Sequence, residues 1–392
     1  MRLLTICIIG VTLPACSSTD AVIAEHDVPQ LELVQSLRIG SIDQADQALT
    51  RVGGILPFPD GSVWIVQPAD AGFRIYSNDA ARVTVKGGRG QGPGEFTFPG
   101  SLGFWGDGMD SVWISDPAMR RVSIFAHDGS FVRSFTAPPV DVSDVLTVDQ
   151  PRMFSPDGRA FAIASYTSRA GSWGRFPIVS YDPASPDPPV EVGSVDRSNM
   201  VQVRWQGSSV ATGSHPLSDA PLVEFANDGR VIVLRRDADM APHIEIAALA
   251  ANGDTLWSRR YRYSPQPMSS SETDSIYNAR IASFREFTRL EGRLNDDEAD
   301  AAYRQSVVMP ETRPAVRSML AGIDGRLWLE WGAAPHDSVT WWVLDSDGSP
   351  IGQFEVERSI AGRAAAGSSL WAVETDDLDV PYVVRYDVRG PE

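Results

Sequence analysis

Asp60-Gly61-Ser62-Val63-Trp64 is the stretch that decides the fold, because variants of it return five more times. They are Asp110-Ser111-Val112-Trp113, Asp157-Gly158-Arg159-Ala160-Phe161, Asp228-Gly229-Arg230-Val231-Ile232, Asp324-Gly325-Arg326-Leu327-Trp328 and Gly367-Ser368-Ser369-Leu370-Trp371. Asp-Gly tolerates positive φ and so favours tight hairpin turns. The residues after each turn are β-prone. A second turn follows each first one, with an apolar residue three positions before it. The pairs are Tyr76 and Asp79, Phe125 and Asp128, Tyr181 and Ala184, Leu249 and Asn252, Leu344 and Asp347, and Tyr386 and Arg389. After five of the second turns comes one more short strand, at residues 83–85, 131–135, 190–192, 255–257 and 351–354. Each unit therefore reads strand, turn, strand, loop, strand, turn, strand.

Such a unit is a four-stranded antiparallel blade, and six of them predict an all-β fold, a six-bladed β-propeller. A linear stack of blades is the alternative. The sixth unit has no fourth strand of its own. Residues 31–39, with apolar Leu31, Leu33, Leu37 and Ile39, are expected to supply it, closing the last blade and leaving no open sheet edge there. The propeller is thus expected over residues 31–392. A short helical insertion, at about 268–312, falls between blades four and five. Ser269-x-x-Glu272 has the form of a helix-capping box, and Tyr277, Ile281, Phe284 and Leu290 follow as an apolar stripe. Asn295-x-x-Glu298 opens a second helix with Ala299, Ala302 and Tyr303, and Pro310 and Pro314 stop it.

The formal net charge is −17, with 43% hydrophobic residues, eleven Trp and one Lys, Lys86. That balance argues against nucleic acid, whose phosphates need a basic footprint. Solubility accounts for the charge, with a cationic ligand or basic partner as the functional alternative. The chain starts Met1-Arg2, runs apolar over residues 3–13, and continues Leu13-Pro14-Ala15-Cys16. The apolar run is too short to span a bilayer as a helix. The segment resembles the lipobox of bacterial lipoproteins. The resemblance implies a signal peptide over residues 1–15 and lipidation (palmitate) of Cys16. It also implies a tether over residues 16–30 and a place in the cell envelope, held to the membrane through lipid. An ordinary signal peptide cut near Ala15 is the alternative. The only other cysteine, Cys7, would leave with the signal, so the folded part is expected to rely on its core rather than on disulfides.

Residues 87–96 read Gly-Gly-Arg-Gly-Gln-Gly-Pro-Gly-Glu-Phe, followed by Phe98-Pro99, Val112-Trp113-Ile114-Ser115-Asp116 and Arg121-Val122-Ser123-Ile124-Phe125. This blade resembles the NHL-type six-bladed propeller lipoproteins that carry a Gly-Gln-Gly-Pro-Gly-Glu-Phe run. The other blades match mainly by turn register, and Ala164-Ser165 and Arg235 depart from the pattern in blades three and four. The resemblance implies a fold and no particular activity, because the family is defined by architecture. The glycine run is no phosphate loop: Gly-Lys-Ser/Thr is absent, and Pro93-Gly94-Glu95 leads into a strand. A structural turn between blades is expected.

Strands that alternate in direction sort their connections onto two faces. The Asp-Gly turns share one face, and the longer, irregular links share the other, where binding loops usually lie. The link face, with links 195–221 and 265–314, is therefore the expected binding face. Its acidic loop residues are Asp70, Asp116, Asp237, Asp239, Glu374, Asp376, Asp377 and Asp379. Ala-Pro-His occurs twice in matching register and brings His243 and His336 to adjacent blades. The candidate ligand-binding residues are Asp116, Arg121, Asp237, His243, Glu330, His336 and Asp376. Two histidines with nearby carboxylates leave a divalent metal open; no other cofactor and no catalytic residue is expected. Exposed loop histidines and a solvated acidic rim are the plainer account. Two functions remain: a monomeric, non-catalytic binding or scaffold module for a protein or small molecule, and a metal-dependent propeller hydrolase or lyase. The starts of the innermost strands, Val52-Gly53-Gly54, Gly100-Ser101-Leu102 and Ile360-Ala361-Gly362, are poor in ligand types and favour the first.

Overall fold

The first sheet consists of Gly54–Pro57, Val63–Gln67, Gly72–Tyr76 and Val83–Gly87, each strand antiparallel to the next. The computed structural model describes residues 22–390 except 25–26, 45–46, 138, 145, 149, 167–173, 186, 197–199, 237–240 and 332–337. Five further sheets repeat the plan along the chain. They begin at Leu102–Trp105, Met153–Phe154, Leu222–Phe225, Val316–Ala321 and Ala361–Ala366. The fourth sheet carries an additional outer strand, Ile23–Ala24. In the sixth, Ala361–Ala366, Ser369–Thr375 and Pro381–Arg389 are joined by Glu32–Ile39, which runs antiparallel to Pro381–Arg389 from Glu32↔Arg389 to Ile39↔Val383.

The six repeat turns are built as their sequences demand. Gly61, Gly158, Gly229 and Gly325 all sit at φ between 82° and 87°, a region closed to most side chains. At three of these turns the aspartate before the glycine accepts from the backbone N–H two residues on, as Asp60 Oδ1 does from Ser62 N at 2.9 Å, whereas Asp157 accepts from the Ser155 hydroxyl. In the second sheet Asp128 makes the same turn with Ser130, and that hydrogen bonding holds its carboxyl below the ordinary value of 3.8.

Every sheet packs against two others, so the second strands are buried on both faces and read as unbroken apolar runs such as Val63-Trp64-Ile65-Val66. Trp64, Trp113, Phe161, Ile232, Trp328 and Trp371, the residues in common register after the turns, are all at most 1% exposed. The outermost strands are exposed, as in Phe131–Thr136. The core divides into one cluster per sheet pair. Trp64 and Phe73 meet Phe104 and Phe125 between sheets one and two, and Ile232 and Tyr261 meet Leu327 and Trp342 between four and five. Trp371 and Val383 of sheet six meet Ile55 and Val63 of sheet one. The last sheet therefore packs on the first, and the body is a closed, propeller-type ring.

Three features correct the sequence expectations. Residues 23–24 and 28–30, expected within a tether, lie on the body: Ile23 and Ala24 pair with Tyr261 and Arg262, Val28 is 4% exposed, and Pro29 and Leu31 exchange backbone hydrogen bonds with Gln353. Apolar Ile23 and Val28 explain the docking, because they fill gaps beside the fourth and fifth sheets. The link 195–221 is not irregular throughout but contains a hairpin, Met200–Trp205 with Ser208–Ser214. Its two-residue turn, Gln206-Gly207, has positive φ at both positions, the geometry that matches strand twist. Leu290, placed in the helical stripe, is 80% exposed, whereas Thr288 takes the buried position of the last turn.

The insertion itself is two helices, α1 (Ser270–Leu290) and α2 (Asp296–Ser306). Ser269 caps α1, and Asn295 with Glu298 forms a complete capping box on α2. Ile281 and Phe284 of α1 and Ala299, Ala302 and Tyr303 of α2 bury themselves against Val203 and Val210 of the hairpin. The two long links therefore make one satellite unit with its own core.

Candidate functional site

The first strand of each sheet lines the ring's axis. Gly54 allows these strands to converge: a Cβ there would stand 2.4 Å from Leu102 of the neighbouring strand. Between the converged strands lies a cavity of about 210 Å3 to which all six sheets contribute. Leu102, Phe225, Leu320 and Ala364 give its walls an apolar part, and polar atoms make up the larger share of their surface. Three charged residues enter it: Arg152 from just before the third sheet, Glu224 from the fourth and Arg363 from the sixth. None of their side chains makes a hydrogen bond or ion pair among the described residues. Burial pushes the Glu224 carboxyl up to about 8, against the opposing pull of the Arg152 charge. At neutral pH this carboxyl is protonated and able to donate. Trp113, whose indole N–H is buried without a partner among the described residues, forms part of the same wall.

A second cavity, of about 390 Å3, adjoins the first at the end of the axis where the hairpin turns lie. Phe58, Met109, Ile323 and Trp371 make it apolar, and Asp324 and Arg385 are its charged residues. Ile323 is a wall of both cavities. Both cavities thus lie toward the turn side of the ring, not on the link face that the loop lengths favour. The links are long because they carry the hairpin and helices, which pack on each other.

The sequence-derived candidates do not converge. Asp116 is 1% exposed, and its carboxylate accepts from the backbone N–H groups of Thr97 at 2.7 Å, Phe98 at 3.4 Å and Met119 at 3.3 Å. Arg121, its cross-strand neighbour, donates to the carbonyls of Gln91 at 2.9 Å, Gly92 at 3.4 Å and Glu95. Together they fasten the glycine-rich link, and Glu95 closes it on itself by accepting from Gly92 N–H at 2.8 Å. Glu330 accepts from Ser318 at 2.8 Å and pairs with Arg317 at 3.1 Å. Asp376 organises its own turn by accepting from Leu378 N at 2.9 Å, Val380 N at 3.0 Å and the Tyr382 hydroxyl at 3.1 Å. His243 is half-buried at a strand start, opposite Arg262. Cys16, Asp237 and His336 lie outside the described residues. Among the described residues no three His, Cys, Asp or Glu side chains gather as a metal site.

Glu224, Arg152 and Arg363 were missed although their signal is legible. Each is a lone charge in or beside an otherwise apolar innermost strand, as in Leu222-Val223-Glu224-Phe225 and Ala361-Gly362-Arg363-Ala364. The strand start Ile360-Ala361-Gly362 stops one residue short of Arg363.

Fold and site together define a propeller-type β protein with an axial cavity of mixed polar and apolar walls that two arginines and a glutamate line. No protein-family profile matches the sequence, and no curated protein matches it. Among solved structures the chain is similar to virginiamycin B lyase from Staphylococcus aureus, at 14% identity over 91% of this chain and 99% of that one, with a TM-score of 0.40. It is also similar to the PQQ-bound aldose sugar dehydrogenase from Streptomyces coelicolor, at 12% identity over 92% and 100% of the two chains, with a TM-score of 0.44. A Bacteroides fragilis protein named for its inferred export is 12% identical over 95% and 99%, with a TM-score of 0.46. Likenesses at this level assign no ligand and no reaction to this chain.

Proposed function

We propose that this chain is a lipid-anchored, extracytoplasmic six-bladed propeller that acts as a non-catalytic module binding a small ligand in its axial cavity. The observation that carries the binding role is the cavity itself, which Arg152, Arg363 and the Glu224 carboxyl line beside apolar side chains, none of the three with a hydrogen bond or ion pair among the described residues. Apolar pockets with a few convergent polar groups are the usual form of small-molecule sites. The six sheets that follow one another along the chain support the six-blade reading, and the Leu13-Pro14-Ala15-Cys16 motif supports the anchor.

Two experiments test this reading. Small molecules released by denaturing the purified protein are identified by mass spectrometry and compared with those from Ala321→Trp, which places an indole into the cavity that Ala321 lines. A bound molecule lost from a variant with an unchanged melting curve is the expected result, and equal retention by both proteins rejects the axial site. Cys16→Ser should move the protein from the membrane to the soluble fraction, and retention after a salt wash rejects the anchor.

A further inference from the structure

The charges in the cavity define the chemistry of what it takes. Arg152 and Arg363, both exposed, line the same small cavity in a chain whose formal net charge is −17. Elsewhere the chain spends its buried or half-buried arginines on itself. Arg74 donates to Ala48 O, Arg121 to the glycine-rich link, and Arg236 to Ala220 O and Val316 O. Arg152 and Arg363, by contrast, are exposed, and neither makes a hydrogen bond or ion pair among the described residues, so both guanidinium groups are open to a ligand. The one carboxyl beside them does not neutralise them by an ion pair. It stands apart with neither a donor nor an acceptor.

From this juxtaposition we propose that the axial cavity binds a small organic carboxylate with an apolar body, its head held by Arg152 and Arg363 and by the Glu224 carboxyl as a hydrogen-bond donor. This rests on the axial-site reading above. A guanidinium fork matches a carboxylate in geometry and charge. A protonated Glu224 supplies the third hydrogen bond without repelling the anion. The apolar remainder lies along Leu102, Phe225 and Leu320 and, past Ile323, against Phe58 and Trp371 of the adjoining cavity. A ligand anion beside Glu224 raises its proton affinity further, because two like charges in one low-dielectric space cannot both persist. Binding is therefore coupled to proton retention at Glu224, which is faced by Arg152 and Arg363 and, more distantly, by Asp324 and Arg385.

The test uses the full chain and calorimetric titration with four probes: 4-phenylbutanoate, its alcohol 4-phenylbutan-1-ol, its amine 4-phenylbutan-1-amine, and inorganic phosphate. The carboxylate should bind about tenfold or more tightly than the alcohol, as expected for charge-assisted hydrogen bonds. Arg152→Gln and Arg363→Gln should each abolish that preference. Carboxylate affinity should fall as pH rises from about 7 to about 9.5, and Glu224→Gln should flatten the profile. Equal affinity for alcohol and carboxylate overturns the inference, as does tighter binding of the amine or of phosphate. So does the absence of binding by all four probes. The two readings fail separately: a neutral or cationic molecule that is retained by the native chain and lost from Ala321→Trp would sink the carboxylate inference and leave the axial site standing.

Discussion

Trp328 shows what a single register residue carries. It is fully buried between sheets five and six, packed with Phe354 and Leu370. Trp328→Ala should lower stability by about 3–5 kcal/mol, the range for large aromatic truncations in a core. Chemical denaturation measures it, and an unchanged midpoint would mean that neighbouring blades close over the gap. Glu224 makes the opposite kind of contribution. Its folded-state pKa is raised, so the stability it confers is full below the unfolded value of 4.5 and is lost as pH rises through about 8. Glu224→Gln should therefore be the more stable protein at pH 8 and should lack the wild-type decline between the two values. Melting temperatures across that range decide the matter, and parallel curves for the two proteins would place Glu224 in a solvated setting.

At the scale of elements, turns and helices were legible in the sequence and the axial site was not. The Asp-Gly turns and the Asn295 capping box are local, since a handful of adjacent residues specify backbone geometry. Trp205-Gln206-Gly207-Ser208 is equally local, yet its hairpin was overlooked because its strands, rich in Ser, Gln and Arg, lack the apolar alternation of a core strand. Arg152, Glu224 and Arg363 belong to sheets three, four and six, and only ring closure brings them to one axis. No local pattern encodes that meeting. Asp116 and Arg121 illustrate the converse, because acidic and basic residues at loop ends are as readily used to hold a link as to hold a ligand. The satellite unit has its own prediction. Phe284 packs on Tyr303 and belongs to the core shared by both helices and the hairpin. Phe284→Ala should raise amide exchange across residues 200–214 and 270–306 while leaving the six sheets protected. Uniform deprotection would instead mean that the unit and the ring unfold together.

For the molecule as a whole, closure depends on one segment near the start of the chain. Residues 32–39 cover the outer edge of the sixth sheet, residues 23–24 pair with the fourth, and residues 29–31 bond to the fifth. Truncation after residue 21 should leave the melting temperature unchanged. Removal of residues up to 31 should lower it, through loss of the Ile23 and Val28 contacts. Removal up to 39 should lower it further and promote aggregation, by exposing the Pro381–Arg389 edge. Identical melting of all three would show that the ring holds without its strap.

The position of Ile23–Ala24 also bears on how the molecule would stand above a bilayer. Six residues separate Cys16 from Ile23. With about 3.5 Å per residue at full extension, such a leash reaches roughly 25 Å. On the proposed anchor, the rim of the fourth sheet is then the part of the body held nearest the lipid. The strand on that rim, Thr255–Arg262, carries Arg259, Arg260 and Arg262, of which Arg259 pairs with Asp347 and Arg260 with Glu245. Held by its rim, the ring would stand on edge like a wheel, with its axle running along the membrane plane, and solutes would reach the axial cavity from the side.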